Sequence, residues 1–216
     1  MPASVMYHEG NRQLQDRFDS RRISDRLEEK LTHKEFTPED RLFIEALPYF
    51  FLATADAEGR SDCSFKGGAP GFVRVTGPSE IAFPDYDGNG MFKSLGNIIV
   101  NPNVGLLFIA MHGKPRRLRV NGHAIVSDSD PLLSETVGAQ LIVRVTARAI
   151  FPNCPRYIPT MQLIDLRSTR RDRVAIRPSP RGRTFPTLRT AYTRANRPLR
   201  VDGSSGSARW VWVPKT

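Results

Sequence analysis

The sequence predicts a mainly β protein with flanking helices, built on a small antiparallel barrel of six or seven strands. Two observations predict it. Between residues 50 and 151, short apolar runs alternate with Gly, Asp, Asn and Pro punctuation, the pattern of strands joined by tight turns. Within that stretch only one segment, Asn89 to Val100, has helical spacing, so the sheet is crossed once. A chain of 216 residues with 39% hydrophobic content can fill one good core.

The elements follow in order. Residues 11 to 31 have helical spacing: Leu14 and Phe18 share one face, as do Ile23, Leu27 and Leu31, with a break expected at Asp19-Ser20. Thr37-Pro38-Glu39-Asp40 is a helix start, with a capping hydroxyl, a proline suited to the first position and acids in the first turn. That helix ends near Leu47, before Pro48. Both helices are expected to pack against the barrel or a partner subunit. Phe50 to Ala55 is a buried strand, turned by Asp56-Ala57-Glu58-Gly59 into Arg60 to Phe65. After a loop from Gly67 to Gly71, Phe72 to Val75 and Glu80 to Phe83 form the next pair across Gly77-Pro78-Ser79. The crossing helix, capped by Asn89, ends at Asn101-Pro102. Val104 to Met111, Leu118 to Ser127 and Gln140 to Phe151 complete the sheet.

Composition narrows the function. No run of about 18 apolar residues exists, which argues against a membrane helix. The N-terminus lacks the apolar stretch of a secretory signal, so a cytoplasmic location is expected. Cys63 and Cys154 form no framework and are expected to be buried thiols. His8, His33, His112 and His123 are scattered without metal-ligand spacing, so no metal is expected. The net charge of +10 is uneven: Leu166 to Thr216 carries 13 Lys/Arg against 2 Asp/Glu, and Met1 to Asp165 carries 19 against 20. The body is electrically balanced and the tail is basic. Three regions follow: a helical segment over 1–47, the barrel over 48–165, and an Arg/Pro/Ser-rich tail over 166–216 that reads as irregular apart from Trp210 to Val213. The tail offers Arg, Tyr192, Trp210 and Trp212 to nucleic acid, a disfavoured alternative because charge runs are usually solvated.

Two polar interruptions carry chemistry. Ser64-Phe65-Lys66-Gly67-Gly68 ends a strand with a hydroxyl, an ammonium and glycines that permit close approach of a ligand. Asn89-Gly90-Met91-Phe92-Lys93-Ser94 opens the crossing helix, where free N–H groups and the positive dipole end favour a phosphate. Neither segment alone is specific, and no general base or activated nucleophile is evident, which leaves the catalytic residues unassigned.

The order of blocks resembles the FMN-binding split barrel of the pyridoxamine 5'-phosphate oxidase-like family. Asn101-Pro102-Asn103-Val104-Gly105-Leu106-Leu107-Phe108 is similar to the family's Asn-Pro-x-Val-x-Leu-Leu-Phe segment, and Arg119-Val120-Asn121-Gly122-His123-Ala124 to its Arg-(Val/Ile)-x-Gly-x-Ala strand. The resemblance implies that Lys66, Lys93 and Ser94 hold the FMN phosphate. It implies that the strand Ser61, Asp62, Cys63, Ser64 and Phe65 runs beside the flavin ring, with backbone at Phe83 and Pro84 lining it. It implies a homodimer with flavin at the subunit interface and an FMN-dependent oxidoreductase acting on a small organic molecule. Ser94 replaces a second basic residue of the true oxidases, and the tail lacks their substrate segment. These departures point away from vitamin B6 chemistry, and the loop Gly67 to Gly71 with the block Asn153-Cys154-Pro155-Arg156-Tyr157 resembles a subfamily of flavin proteins distinct from the true oxidases. The alternatives are a non-catalytic carrier of flavin, of the deazaflavin F420, or of haem.

Overall fold

The structure is a computed structural model that describes residues 4–159, 161–163 and, for backbone only, 210–212. Most of the compact unit Leu163–Val211 lies outside the described residues, and with it the expectation of an irregular tail. The following concerns the unit that begins at Met1.

Three helices precede the sheet: α1 (Glu9–Arg17), α2 (Arg21–Leu31) and α3 (Pro38–Ala46). The first begins two residues earlier than its apolar pattern, because His8 caps it. The His8 ring accepts from the Gly10 amide and the His8 amide donates to Asn11. Asp19, with φ of 47°, breaks α1 from α2 at the expected place. The apolar stripe of this pair does not pack on the barrel: Leu14, Phe18, Ile23, Leu27 and Leu31 are all exposed, and α2 has no buried residue. By contrast, α3 is anchored. Thr37 and Asp40 cap it reciprocally. The buried Asp40 carboxylate also meets His33 at 2.8 Å and the Arg116 guanidinium at 3.1 Å. That guanidinium sits 4.5 Å over the Phe43 ring, which ties the helix to the barrel.

The barrel strands are β1 (Tyr49–Ala55), β2 (Ser61–Gly67), β3 (Arg74–Gly77), β4 (Glu80–Tyr86), β5 (Asn103–Ala110), β6 (Arg116–Ser127) and β7 (Ala139–Asn153), with α4 (Lys93–Val100) between β4 and β5. They form one seven-stranded sheet in the order β2-β1-β5-β6-β7-β4-β3, and every pair is antiparallel. The predicted barrel is therefore present, with β4 and β7 each longer at both or one end than the apolar runs. A 3-10 turn, Pro131–Glu135, leads into β7. A short strand, β8 (Met161–Leu163), follows, and the expected strand at Trp210 is present as β9 (Trp210–Trp212).

Burial alternates along the strands as a half-solvated sheet requires. Leu118, Val120 and Ala124 of β6 point inward, and Arg119, His123 and Ile125 outward. Phe50 lies at the centre of the core. Its ring contacts those of Phe72 (6.0 Å), Phe83 (4.9 Å) and Phe108 (5.2 Å). Contact between a β1 ring and a β4 ring means that the sheet curls on itself, since those strands are separated by β5, β6 and β7. The two cysteines depart from expectation: Cys63 and Cys154 are both exposed, Cys63 because it faces outward on an edge strand.

Glycine is required at one point of the sheet. The β6–β7 register slips between Asn121 and Gly122, a bulge that brings Gly122 against the opposite backbone. A Cβ there would lie 2.2 Å from the Thr146 carbonyl oxygen. Gly122→Ala is expected to lower stability by about 2 kcal/mol, as overpacking against backbone does. A urea titration should show a lower midpoint at unchanged slope.

At the other end of β7 the Arg144 guanidinium donates to the buried Asp130 carboxylate (3.0 Å to Oδ1) and to Glu80 (2.7 Å). That hydrogen bond holds the Asp130 carboxyl below its usual range, against the opposing effect of burial. The sign follows from linkage. Stability contributed by the carboxylate is complete above its unfolded value of about 3.9 and is lost as pH falls through the lower folded value. Asp130→Asn should therefore flatten the acid limb of the stability–pH curve below about pH 4, measured by thermal unfolding.

Candidate functional site

Strand β2 is the end strand of the sheet, so its outer edge has no backbone partner in the sheet. Its side chains alternate. Ser61, Cys63 and Phe65 face outward, and Asp62, Ser64 and Lys66 face the other way and are partly buried. The inward row meets α4. The Ser64 and Ser94 hydroxyls lie 2.9 Å apart, a hydrogen bond in which either may donate. Ser94 is buried at the second position of α4, beside Lys93 at the first. Asn97, one turn on, donates to the Thr54 hydroxyl at 3.0 Å and fixes the helix against β1. Two segments thirty residues apart are thus held together at the start of a helix.

The helix start differs from the expectation. It lies at Lys93, not Asn89, and its cap is Phe92 in the left-handed region (φ 47°) with no side-chain cap. Asn89 instead accepts from the Met91 amide at 3.0 Å. Gly90, at φ 78°, turns the chain between them. The first-turn N–H groups of α4 consequently have no capping side chain, and they point toward the end where Ser64 lies.

The two predicted cations have different surroundings. Lys93 is exposed and makes no ion pair among the described residues. Lys66 is mostly buried and lies 3.7 Å from Asp85 of β4, which is also mostly buried. Asp85 is the site residue that the sequence reading missed. The apolar run stops at Phe83, but β4 continues to Tyr86, and a strand period of two then puts Asp85 on the same face as Ile81 and Phe83. Extending the strand by alternation would have found it.

Phe83 and Pro84 are buried, Phe83 as part of the core against Phe50. Only their backbone is available to a ligand, and Pro84 supplies a carbonyl without an N–H. The ladder of β3 with β4 reaches Ala82, and among the described residues no strand pairs with β4 beyond it on that side. The glycines after Lys66 serve packing. A Cβ on Gly67 would lie 2.8 Å from the Phe65 ring, and one on Gly68 2.6 Å from the Phe72 ring, so their first requirement is internal. Phe65 itself is exposed, stacked on Tyr49 at 5.6 Å and edge-on to Phe51 at 5.9 Å.

An open groove of about 250 Å³ lies elsewhere, over the outward faces of β1 and β5 at Ala53, Gly105, Asn121 and Arg148. It contains none of the predicted cofactor residues. The α4 start offers uncapped amides, the Ser64 and Ser94 hydroxyls and the exposed Lys93, whereas the groove is shallow and lined mainly by small side chains. Among the described residues no cluster of His, Cys, Asp or Glu could hold a metal ion. No described helix is long and apolar enough to cross a membrane.

The sequence profile of the pyridoxamine 5'-phosphate oxidase family matches residues 36–174. The chain belongs to that family, and the seven-stranded split barrel is its fold. No curated protein matches the chain. Among solved structures it is similar to HupZ from Group A Streptococcus, with 16% identity over 54% of this chain and 93% of that one, at a TM-score of 0.44. It is similar to HutZ, the heme storage protein of Vibrio cholerae, with 18% identity over 54% and 94%, at 0.41. It is also similar to an FAD binding protein from Mycobacterium smegmatis, with 15% identity over 56% and 97%, at 0.38.

Ser94→Ala removes the hydroxyl pair that joins β2 to α4. It is expected to cost about 1 kcal/mol, the usual net worth of one such bond, read as a lower urea midpoint.

Proposed function

We propose that the chain is an FMN-dependent oxidoreductase that exchanges two electrons between bound flavin and a small organic molecule. The observation that carries this reading is the Ser64–Ser94 hydrogen bond, which joins the cationic end of β2 to the uncapped start of α4. Lys66, Lys93 and the hydroxyls of Ser64 and Ser94 would bind the phosphate. The α4 amides would supply further donors, as helix starts do for phosphates. Backbone along Ser61, Asp62, Cys63, Ser64 and Phe65, and at Phe83 and Pro84, would align the ring. Flavin supplies the redox chemistry; the chain binds, orients and shields it. No side chain is assigned as a catalytic acid or base.

The reading extends to assembly. Family membership supports a homodimer with flavin between subunits. The division into a helical segment over 1–47, a barrel over 48–165 and a tail over 166–216 belongs to the same proposal. The exposed stripe of α1 and α2 supports partner packing for those two helices, while α3 of the same segment packs on the barrel.

The protein purified under native conditions is expected to be yellow, with a flavin spectrum and FMN identified by mass in the released chromophore. A Lys66→Ala, Lys93→Ala variant should lose the cofactor while keeping its circular dichroism and thermal unfolding. Full occupancy in that variant would overturn the phosphate site. A haem or deazaflavin spectrum would replace FMN with one of the alternatives. A bound flavin that no reductant and acceptor can cycle would make the protein a carrier.

A further inference from the structure

We propose that Asp85 is an internal rival of the ligand phosphate: a specificity-determining carboxylate that neutralises Lys66 in the free protein and opposes the anion that enters. The inference rests on the reading of the β2–α4 junction as a phosphate site and concerns a residue which that reading does not use.

Three observations carry it. First, Asp85 is placed by strand alternation, two residues beyond Phe83 and just before the ladder with β7 slips. Asp85 pairs with Leu141 and Tyr86 with Ala139, so β7 carries one extra residue, Gln140, between them. The slip comes after Asp85, so the carboxylate keeps the face that alternation gives it. Here the carboxylate shares the inward face of Phe83, while Lys66 faces inward directly opposite Phe50 across the β1–β2 ladder. Phe50 and Phe83 touch, so the ammonium and the carboxylate are brought together above the same pair of rings.

Second, the pair is mostly removed from water: the side-chain exposures are 21% for Lys66 and 15% for Asp85. Charges so placed act on one another more strongly than exposed ones, and a lone ammonium there would be costly. A counter-ion is therefore needed when no anion is bound.

Third, the pair is loose. The separation of 3.7 Å exceeds the 2.7–2.9 Å or so of a charge-assisted hydrogen bond. The Gln140 side-chain amide also donates to Asp85, at 3.5 Å. Among the described residues no hydrogen bond of normal length engages the Lys66 ammonium, which leaves its N–H donors available. A phosphate that accepts from them at normal length displaces the carboxylate from its role without moving the lysine far. Once it does, Asp85 is an unneutralised like charge beside the phosphate, and its cost is charged to the anionic part of the ligand alone. A ligand with the same ring and no phosphate escapes that cost.

The test compares FMN with riboflavin, and adds inorganic phosphate as a competitor, on the full chain stripped of chromophore. Asp85→Asn, which keeps the shape and removes the charge, is expected to bind FMN about tenfold tighter, some 1.4 kcal/mol. Inorganic phosphate should compete more effectively, and riboflavin affinity should not change. Asp85→Glu, which keeps the charge, should show no gain; Asp85→Ser replaces the amide variant if that one does not fold. FMN bound equally or more weakly by the neutral variants would overturn the proposal and make Asp85 a positioning residue for Lys66, leaving the phosphate site intact. An equal change for FMN and riboflavin would overturn it too. Binding of FMN by the neutral variant but not by the unaltered chain would support it. Failure of both to bind FMN or phosphate would remove the phosphate site and the rival with it.

Discussion

The contact between Phe50 and Phe83 is the constraint on which the site depends. In a flat sheet the order β1-β5-β6-β7-β4 would put these strands four spacings apart, roughly 19 Å. Their rings are 4.9 Å apart, and neither exposes more than 1% of its surface. Burying each is worth roughly 1.5–3 kcal/mol, and both gains require the curl. The curl carries the inward side chains of β2 toward β4, so Lys66 and Asp85 come within reach although no ladder joins their strands. The position of the charges is thus a consequence of aromatic packing.

Much of this architecture was legible because turns and caps are local chemistry. Asp56 accepts from the Glu58 and Arg60 amides, and Gly59 takes φ of 81°, which is the hairpin that the segment Asp56 to Gly59 spells. Thr37 and Asp40 cap α3 reciprocally, as the residues at those positions announce. What the sequence did not disclose is long-range. Gly67 and Gly68 looked like room for a ligand, but the rings of Phe65 and Phe72 fill that room. Asn89 looked like a helix cap, but Gly90 and a left-handed Phe92 postpone the helix by four residues. Cys63 looked buried by residue type, and strand alternation at a sheet edge put it outside.

The candidate site divides in the same way. Its cations and hydroxyls were readable as residue types flanking a strand end and a helix start. Their mutual distances were not, because only the folded sheet brings Ser64 to Ser94 and Lys66 to Asp85. Charge balance was the larger omission. A count of basic residues near a site gives its attraction for anions only when the carboxylates that the topology delivers to the same place are counted with them.

The alternation of β2 also limits how any ring could lie. Ser64 and Lys66 face inward, Ser64 toward α4 and Lys66 toward Asp85 of β4, while Cys63 and Phe65 face the opposite side. A planar ligand whose phosphate sits with the first row cannot stack on the second without passing around the strand. It can instead run along the strand edge, where β2 has no ladder partner in the sheet. Recognition there would come from backbone amides and carbonyls, which every residue supplies, so side-chain identity along Ser61 to Phe65 would matter less than the edge itself. The exposed Phe65, stacked on Tyr49, is then left for something other than the cofactor's phosphate end.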